Sequence, residues 1–222
     1  SFAQPVIVKL KDGHWYVVFG NGYNSTEPDE HASTTGDAVI YLVDLATGQQ
    51  MIKLSTDTGI DEAPVGLNRP NGMATLSPVS DDGETVNVIY GGDLYGNVWK
   101  FDLSSTDSTQ WGLAYKLFQA CRSSTRSKTC SASDIQAITA GIAVSEDKKG
   151  RNMLFFGTGK DFEQSDKTGR GLQTLYGVID KGRAVTGGRL ALLEQRIYQQ
   201  GTFDLGGVSR ELRLTTNNVL QS

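Results

Sequence analysis

The stretch Val79-Ser-Asp-Asp-Gly-Glu-Thr-Val-Asn-Val-Ile-Tyr-Gly-Gly-Asp93 returns 65 residues later as Val144-Ser-Glu-Asp-Lys-Lys-Gly-Arg-Asn-Met-Leu-Phe-Phe-Gly-Thr158. The two copies run without a gap from Val79/Val144 to Asn87/Asn152 and on to Gly92/Gly157. Each is a polar turn, an apolar run of strand length, then glycine. Lys11-Asp-Gly-His-Trp-Tyr-Val-Val-Phe-Gly20 has the same form near the start of the chain. A repeat with a period of tens of residues marks an architecture built from one supersecondary unit.

Working outward from each copy reveals the rest of the unit. A short apolar stretch precedes it: Pro5-Val-Ile-Val8, Met73-Ala-Thr-Leu76 and Gly141-Ile-Ala-Val144. A strand closing on an acid follows it: Ala38 to Asp44, Asn97 to Asp102 and Leu175 to Asp180. A fourth stretch ends each unit: Met51-Ile-Lys-Leu54, Tyr115-Lys-Leu-Phe118 and Leu190-Ala-Leu-Leu193. Four short strands per unit, recurring in series, predict the blades of an all-β, quinoprotein-like β-propeller. Blades are expected at about 2–64, 65–135 and 136–200, with 201–222 and its Gly206 to Leu214 stretch starting a fourth. Three to four blades close a ring poorly, so residues 1–222 are read as part of a larger propeller. The opening Ser1-Phe-Ala-Gln-Pro5 likewise reads as a piece of a longer protein.

Composition agrees. Of 222 residues, 38% are hydrophobic, enough for a sizeable core, and 26 are glycine, which suits many turns. A formal net charge of −4 gives no support to a nucleic-acid partner. Apolar runs such as Trp15 to Phe19 and Val39 to Val43 have strand length, and none approaches the ~18 residues of a membrane span. Cys121 and Cys130 bracket a Ser/Thr/Arg-rich segment. A disulfide there would contribute about 2–3 kcal/mol and points to an exported protein. Two buried free thiols are the alternative.

Gly92-Asp-Leu-Tyr-Gly-Asn-Val-Trp-Lys-Phe-Asp-Leu103 is the most distinctive stretch, supported by Val18-Phe-Gly-Asn-Gly-Tyr-Asn24, Val43-Asp-Leu-Ala-Thr-Gly48 and Phe156-Gly-Thr-Gly-Lys160. In this order they resemble the C-terminal propeller of the PilC/PilY family of type IV pilus proteins, over about residues 2–198. The resemblance implies a large protein of the bacterial surface, at the pilus tip or outer membrane, exported through the periplasm. It implies a propeller that supports pilus extension by opposing retraction, in a protein that adheres to host cells. The partners implied are minor pilins and the pilus fibre, the host-cell surface, and the N-terminal region of the same longer protein.

Many members of that family hold calcium in an Asp-rich loop just before the signature strand. Here that place reads Val79 to Asn87. Asp81, Asp82, Glu84 and Asn87 supply oxygens, but the alternating aspartate spacing is gone, so a structural Asp-Gly turn is the favoured reading. The long loop Gly22 to Asp37, with Glu27, Asp29, Glu30 and His31, is read as an acidic solvated loop, with a metal or contact surface as the alternative. Asn24-Ser-Thr26 fits a glycosylation sequon, and no Arg-Gly-Asp occurs.

No catalytic centre emerges. His14 and His31 are the only imidazoles, and Asp44, Asp102 and Asp180 recur at matching strand ends, which suggests turn hydrogen bonding. Two other readings stay open. One is a quinoprotein-like dehydrogenase, for which Trp15, Trp99 and Trp111 are the candidate stacking groups although no quinone is expected. The other is a glycan-binding propeller using surface aromatics such as Tyr16 or Tyr23.

Overall fold

Strands β1 (Val6–Lys9), β2 (Trp15–Gly20), β3 (Val39–Asp44) and β4 (Met51–Ser55) lie side by side in chain order, each antiparallel to the next. A second sheet repeats this plan with β5 (Met73–Ser80), β6 (Val86–Asp93), β7 (Asn97–Asp102) and β8 (Gly112–Gln119). A third contains β9 (Ala143–Glu146), β10 (Asn152–Gly157) and β11 (Leu175–Ile179). The hairpin β12 (Ile197–Leu205) and β13 (Val208–Thr215) stands apart. This computed structural model describes residues 3–26, 32–48, 51–123, 130–169 and 171–219. Among them there is no α-helix, only short 3-10 turns at Ser108–Gln110, Gln164–Thr168 and Gly188–Ala191.

The pattern of burial follows from stacking the sheets face to face. Sheet side chains alternate between faces. On the second sheet, Ile89, Trp99 and Phe101 pack toward the first sheet against Val8, Tyr16, Val18, Ile40 and Leu42. Val88, Tyr90 and Val98 point the other way, onto Leu154, Phe156, Tyr176 and Val178 of the third. A sheet covered on both faces reads as a continuous apolar run, and β6 is buried at every position after Val86. The outer sheets alternate instead. In β10, Leu154 and Phe156 are buried while Phe155 between them is exposed. Full burial of each such side chain is worth about 1.5–3 kcal/mol, so the two seams carry most of the stability.

The sequence-based expectation fails in two places. The predicted fourth strand of the third unit, Leu190 to Leu193, does not form. Gly187 and Gly188 both take positive φ (92° and 53°), turning the chain into the 3-10 segment Gly188–Ala191. Leu192 packs against the second seam, but Leu190 and Leu193 are left exposed. The final hairpin begins at Ile197 rather than after residue 200, and its β12 strand had no counterpart in the sequence reading.

Candidate functional site

The signature Gly92 to Leu103 forms the end of β6, a tight turn and β7, and its centre is Asp93. The side chain of Asp93 is wholly buried. Its Oδ1 accepts from the Asn97 backbone N–H (2.8 Å). Its Oδ2 accepts from Asn97 Nδ2 (2.8 Å), Trp99 Nε1 (2.7 Å) and Asn71 Nδ2 (2.8 Å). The Asp93 carbonyl accepts from Gly96 N (3.1 Å) and from Ile138 N (3.0 Å) in the approach to the third sheet. Burial raises the Asp93 pKa above the ordinary carboxylate range, against the four donors that favour its charge. Gly96 has φ +75°, and a Cβ there would sit 2.7 Å from the carbonyl oxygens of Ala120 and Gln136. The motif is therefore a keystone: aspartate gathers the turn, glycine makes the turn possible, and asparagine and tryptophan supply the donors.

The hairpin between β5 and β6 carries Asp81, Asp82, Glu84 and Asn87, where the sequence favours a structural Asp-Gly turn over a calcium loop. Asp82 is exposed and folds back onto its own turn. Its Oδ1 accepts from Ser80 Oγ (2.8 Å), Glu84 N (2.9 Å) and Thr85 N (2.7 Å), and its Oδ2 from Thr85 Oγ1 (2.6 Å). These bonds hold its carboxyl far below the usual range. Asp81 accepts the side-chain amide of Asn87, whose own carbonyl oxygen is buried without a partner among the described residues. Calcium takes six to eight oxygens. Here Asp82 is fully engaged as an Asx turn, and no three His, Cys, Asp or Glu side chains converge as metal ligands among the described residues. The donor set does not fit the ion. The copy 65 residues on closes the same way: Asp147 accepts from Lys149 N (2.8 Å) and Arg151 N (3.0 Å), and Arg151 forks onto its carboxylate.

The three strand-end aspartates make turns, and one does more. Asp44 accepts from Ala46 N and Thr47 N (both 2.9 Å) and from His14 Nδ1 (3.0 Å). Asp102 accepts from Ser104 N (2.9 Å). Asp180 accepts from Gly182 N (2.8 Å) but also reaches the second sheet, taking Lys100 Nζ (2.8 Å), Tyr115 OH (2.6 Å) and Tyr90 OH (2.7 Å). Burial pushes its pKa up, but Lys100, Tyr115, Tyr90 and Gly182 together hold it below the usual value. This polar clamp across the second seam was invisible to the sequence reading, because its members are 65 to 90 positions apart. The recurrence of the strand-end aspartate was the one available signal.

At the opposite ends of β2 and β10, loops from the first and third sheets touch. Tyr23 stacks on Phe162 (centroids 4.3 Å apart, 9° between planes). Arg69 pairs with Glu163 (2.8 Å), which also takes Lys160 (2.6 Å). The aromatics named for other functions are mostly structural. Tyr16 is not a surface residue: it is 2% exposed, with Trp111 edge-on at 5.5 Å. Trp99 and Trp111 are buried, while Trp15 is 51% exposed. Cys121 and Cys130 are joined as a disulfide, with Cα atoms 5.8 Å apart. Glu27, Asp29, Glu30 and His31 lie outside the described residues.

Comparison with known proteins places this geometry. Residues 1–205 match the model of the PilY1 beta-propeller domain. The chain is 38% identical over 209 residues to a type IV pilus biogenesis factor PilY1 homolog of Xylella fastidiosa, covering 89% of this chain and 13% of that protein. It is 34% identical over 242 residues to the type IV pilus biogenesis factor PilY1 of Pseudomonas aeruginosa, covering 98% of this chain and 19% of that one. It thus spans less than a fifth of either relative. The crystal structure of the Pseudomonas aeruginosa PilY1 C-terminal domain superposes with a TM-score of 0.75 at 25% identity, over 98% of this chain and 46% of that one. With its stacked antiparallel sheets and its Asp93 keystone, the chain belongs to the PilY1 β-propeller family, whose curated relatives are type IV pilus biogenesis factors.

Proposed function

We propose that this chain is a non-enzymatic propeller segment of a type IV pilus biogenesis factor, one that sustains pilus extension by opposing retraction. The match of residues 1–205 to the PilY1 propeller carries the reading. The site chemistry is compatible with it: the polar clusters at Asp93, Asp82 and Asp180 have their oxygens occupied by structural donors. The whole protein acts at the bacterial surface, at the pilus tip or outer membrane, after export through the periplasm. Its partners are minor pilins of the fibre, the N-terminal region of the same protein and host-cell surfaces to which it adheres. The hairpin at Asp81 to Asn87 works as a metal-free turn. The outer faces of the first and third sheets, with Ile7, Met51, Phe155 and Leu175 exposed, are covered by the remainder of the ring. The solved relative, of which this chain covers 46%, has the length to supply it.

Excising the segment from the complete protein tests the reading. Surface pili are counted in cells with and without an active retraction motor. Pili are expected to vanish in retracting cells and to return when retraction is disabled. Normal piliation in retracting cells would overturn the proposal, and absence in both backgrounds would replace opposition to retraction with a direct need in assembly.

A further inference from the structure

The β9–β10 turn and the chain leaving β11 meet at one end of the third sheet. Asp180 N donates to Asn152 O (2.8 Å), one step beyond the Met153/Ile179 pair. These two segments carry Lys148, Lys149, Arg151, Lys181 and Arg183, a concentration of cations in a chain of net charge −4. The neighbouring acids are largely spoken for. Asp147 is engaged by Arg151, and Asp180 by Lys100. Glu146, exposed at the end of β9, is the remaining acid of these two segments. Lys148, Lys149, Lys181 and Arg183 form no ion pair among the described residues. The equivalent turn of the second sheet carries Asp81, Asp82 and Glu84 and no cation, so the basic character belongs to this turn alone of the two.

The same place is concave. A shallow, widely open cleft of about 410 Å³ lies here, lined by Lys100, Arg151, Asn152, Asp180 and Lys181. Within it Asp180 is fixed by two tyrosine hydroxyls, Lys100 and a backbone N–H. We propose that this cleft binds an anionic saccharide. A sulfate or carboxylate is held at Lys181, while Lys148, Lys149 and Arg183 on the flanking segments engage further anionic groups of the same polymer. A hollow with long flexible cations around it suits pendant anionic groups better than a flat bilayer does. A single-stranded nucleic acid would want exposed aromatic platforms beside the cations. The tyrosines here instead aim their hydroxyls at Asp180, with Lys100 over their rings. This inference goes beyond pilus assembly and does not depend on it.

The test titrates the complete protein with a chondroitin sulfate tetrasaccharide, its desulfated analogue, a single-stranded oligonucleotide and anionic phosphatidylserine vesicles over a range of salt concentrations. The sulfated tetrasaccharide is expected to bind in a salt-sensitive way and to outcompete the other three. Lys149→Ala combined with Lys181→Ala should lower the slope of log affinity against log salt by about two, by analogy with phosphate contacts. Arg210→Ala combined with Arg213→Ala, on the exposed strand β13, removes equal charge and should leave binding unchanged. Four results would overturn the proposal: no binding of the tetrasaccharide, equal loss in both double variants, no loss in the first, or preference for the oligonucleotide or the vesicles.

Discussion

Replacing Asp93 with alanine breaks four buried hydrogen bonds, from the Asn97 N–H, the Asn97 and Asn71 side-chain amides and the Trp99 indole N–H, with Asn71 alone keeping a second acceptor in Thr58 O (3.1 Å). A stranded buried donor costs about 1–3 kcal/mol. Four independent losses would exceed the whole stability of many domains, so simple addition overshoots. Two effects reduce the sum. Water can enter the space the carboxylate vacates, and the cost of burying its charge, visible in its raised pKa, disappears with it. What is left behind is a set of unpaired neutral donors and no charge, so the expected loss lies toward the low end of the simple sum, at about 3–5 kcal/mol. Urea unfolding of the complete propeller measures it as a lowered midpoint at unchanged slope. Asp102→Ala is the control, since that exposed carboxylate closes only a turn, and it should cost less than about 1 kcal/mol. A double-mutant cycle sharpens the test. Trp99→Phe alone leaves the Asp93 carboxylate one donor short. In the alanine background it removes an indole N–H that has already lost its acceptor, and should cost less. If Asp93→Ala and Asp102→Ala cost the same, or the Trp99 effects simply add, the keystone reasoning is wrong.

Other consequences are as specific. Gly96→Ala forces a Cβ to 2.7 Å from two carbonyl oxygens at positive φ, and should cost at least about 2 kcal/mol or prevent folding, read by yield and melting temperature. Cys121→Ser with Cys130→Ser removes a short cross-link and should cost about 2–3 kcal/mol in urea, while reductant should leave the double variant unaffected. Asp147 has its pKa lowered to about 2, chiefly by hydrogen bonds from Arg151. Its folded value lies below its unfolded one, so its contribution is present above about pH 4 and is lost as pH falls toward 2. The midpoint gap between the native protein and Asp147→Asn should close over that window. Calcium chelation should leave the melting temperature where it was, whereas Asp82→Ala should lower it with or without calcium, because Asp82 serves the turn.

What the sequence disclosed was whatever repeats locally. The polar turn, the apolar run and the closing aspartate recur because each sheet must solve the same folding problem, so the strands from β1 to β11 were legible from periodicity. Leu190 to Leu193 misled because apolar spacing alone says nothing of the turn imposed just before it at Gly187 and Gly188. The sequence offers Tyr16 as a surface ring, yet in β2 it alternates with Val17 and faces the second sheet. One strand pattern cannot tell which face has a neighbour. The Asp93 motif was recognisable as a signature while its reason was not: Asn71 comes from 22 positions away and Ile138 from the next unit. The Asp180 clamp is assembled across a seam, and the cations beside it come from two separate segments of the third sheet, so no local spacing shows that they meet.

The keystone and the pilus function meet in one experiment. Piliation is counted in cells whose complete protein carries Asp93→Ala, with the exported amount and the melting of the propeller measured in parallel. The predicted result is a destabilised propeller and loss of surface pili in retracting cells, with Asp102→Ala keeping both. Normal piliation by an Asp93→Ala protein that is exported at the native level with its propeller unfolded would contradict the account, because the folded propeller would then not be what sustains the pilus.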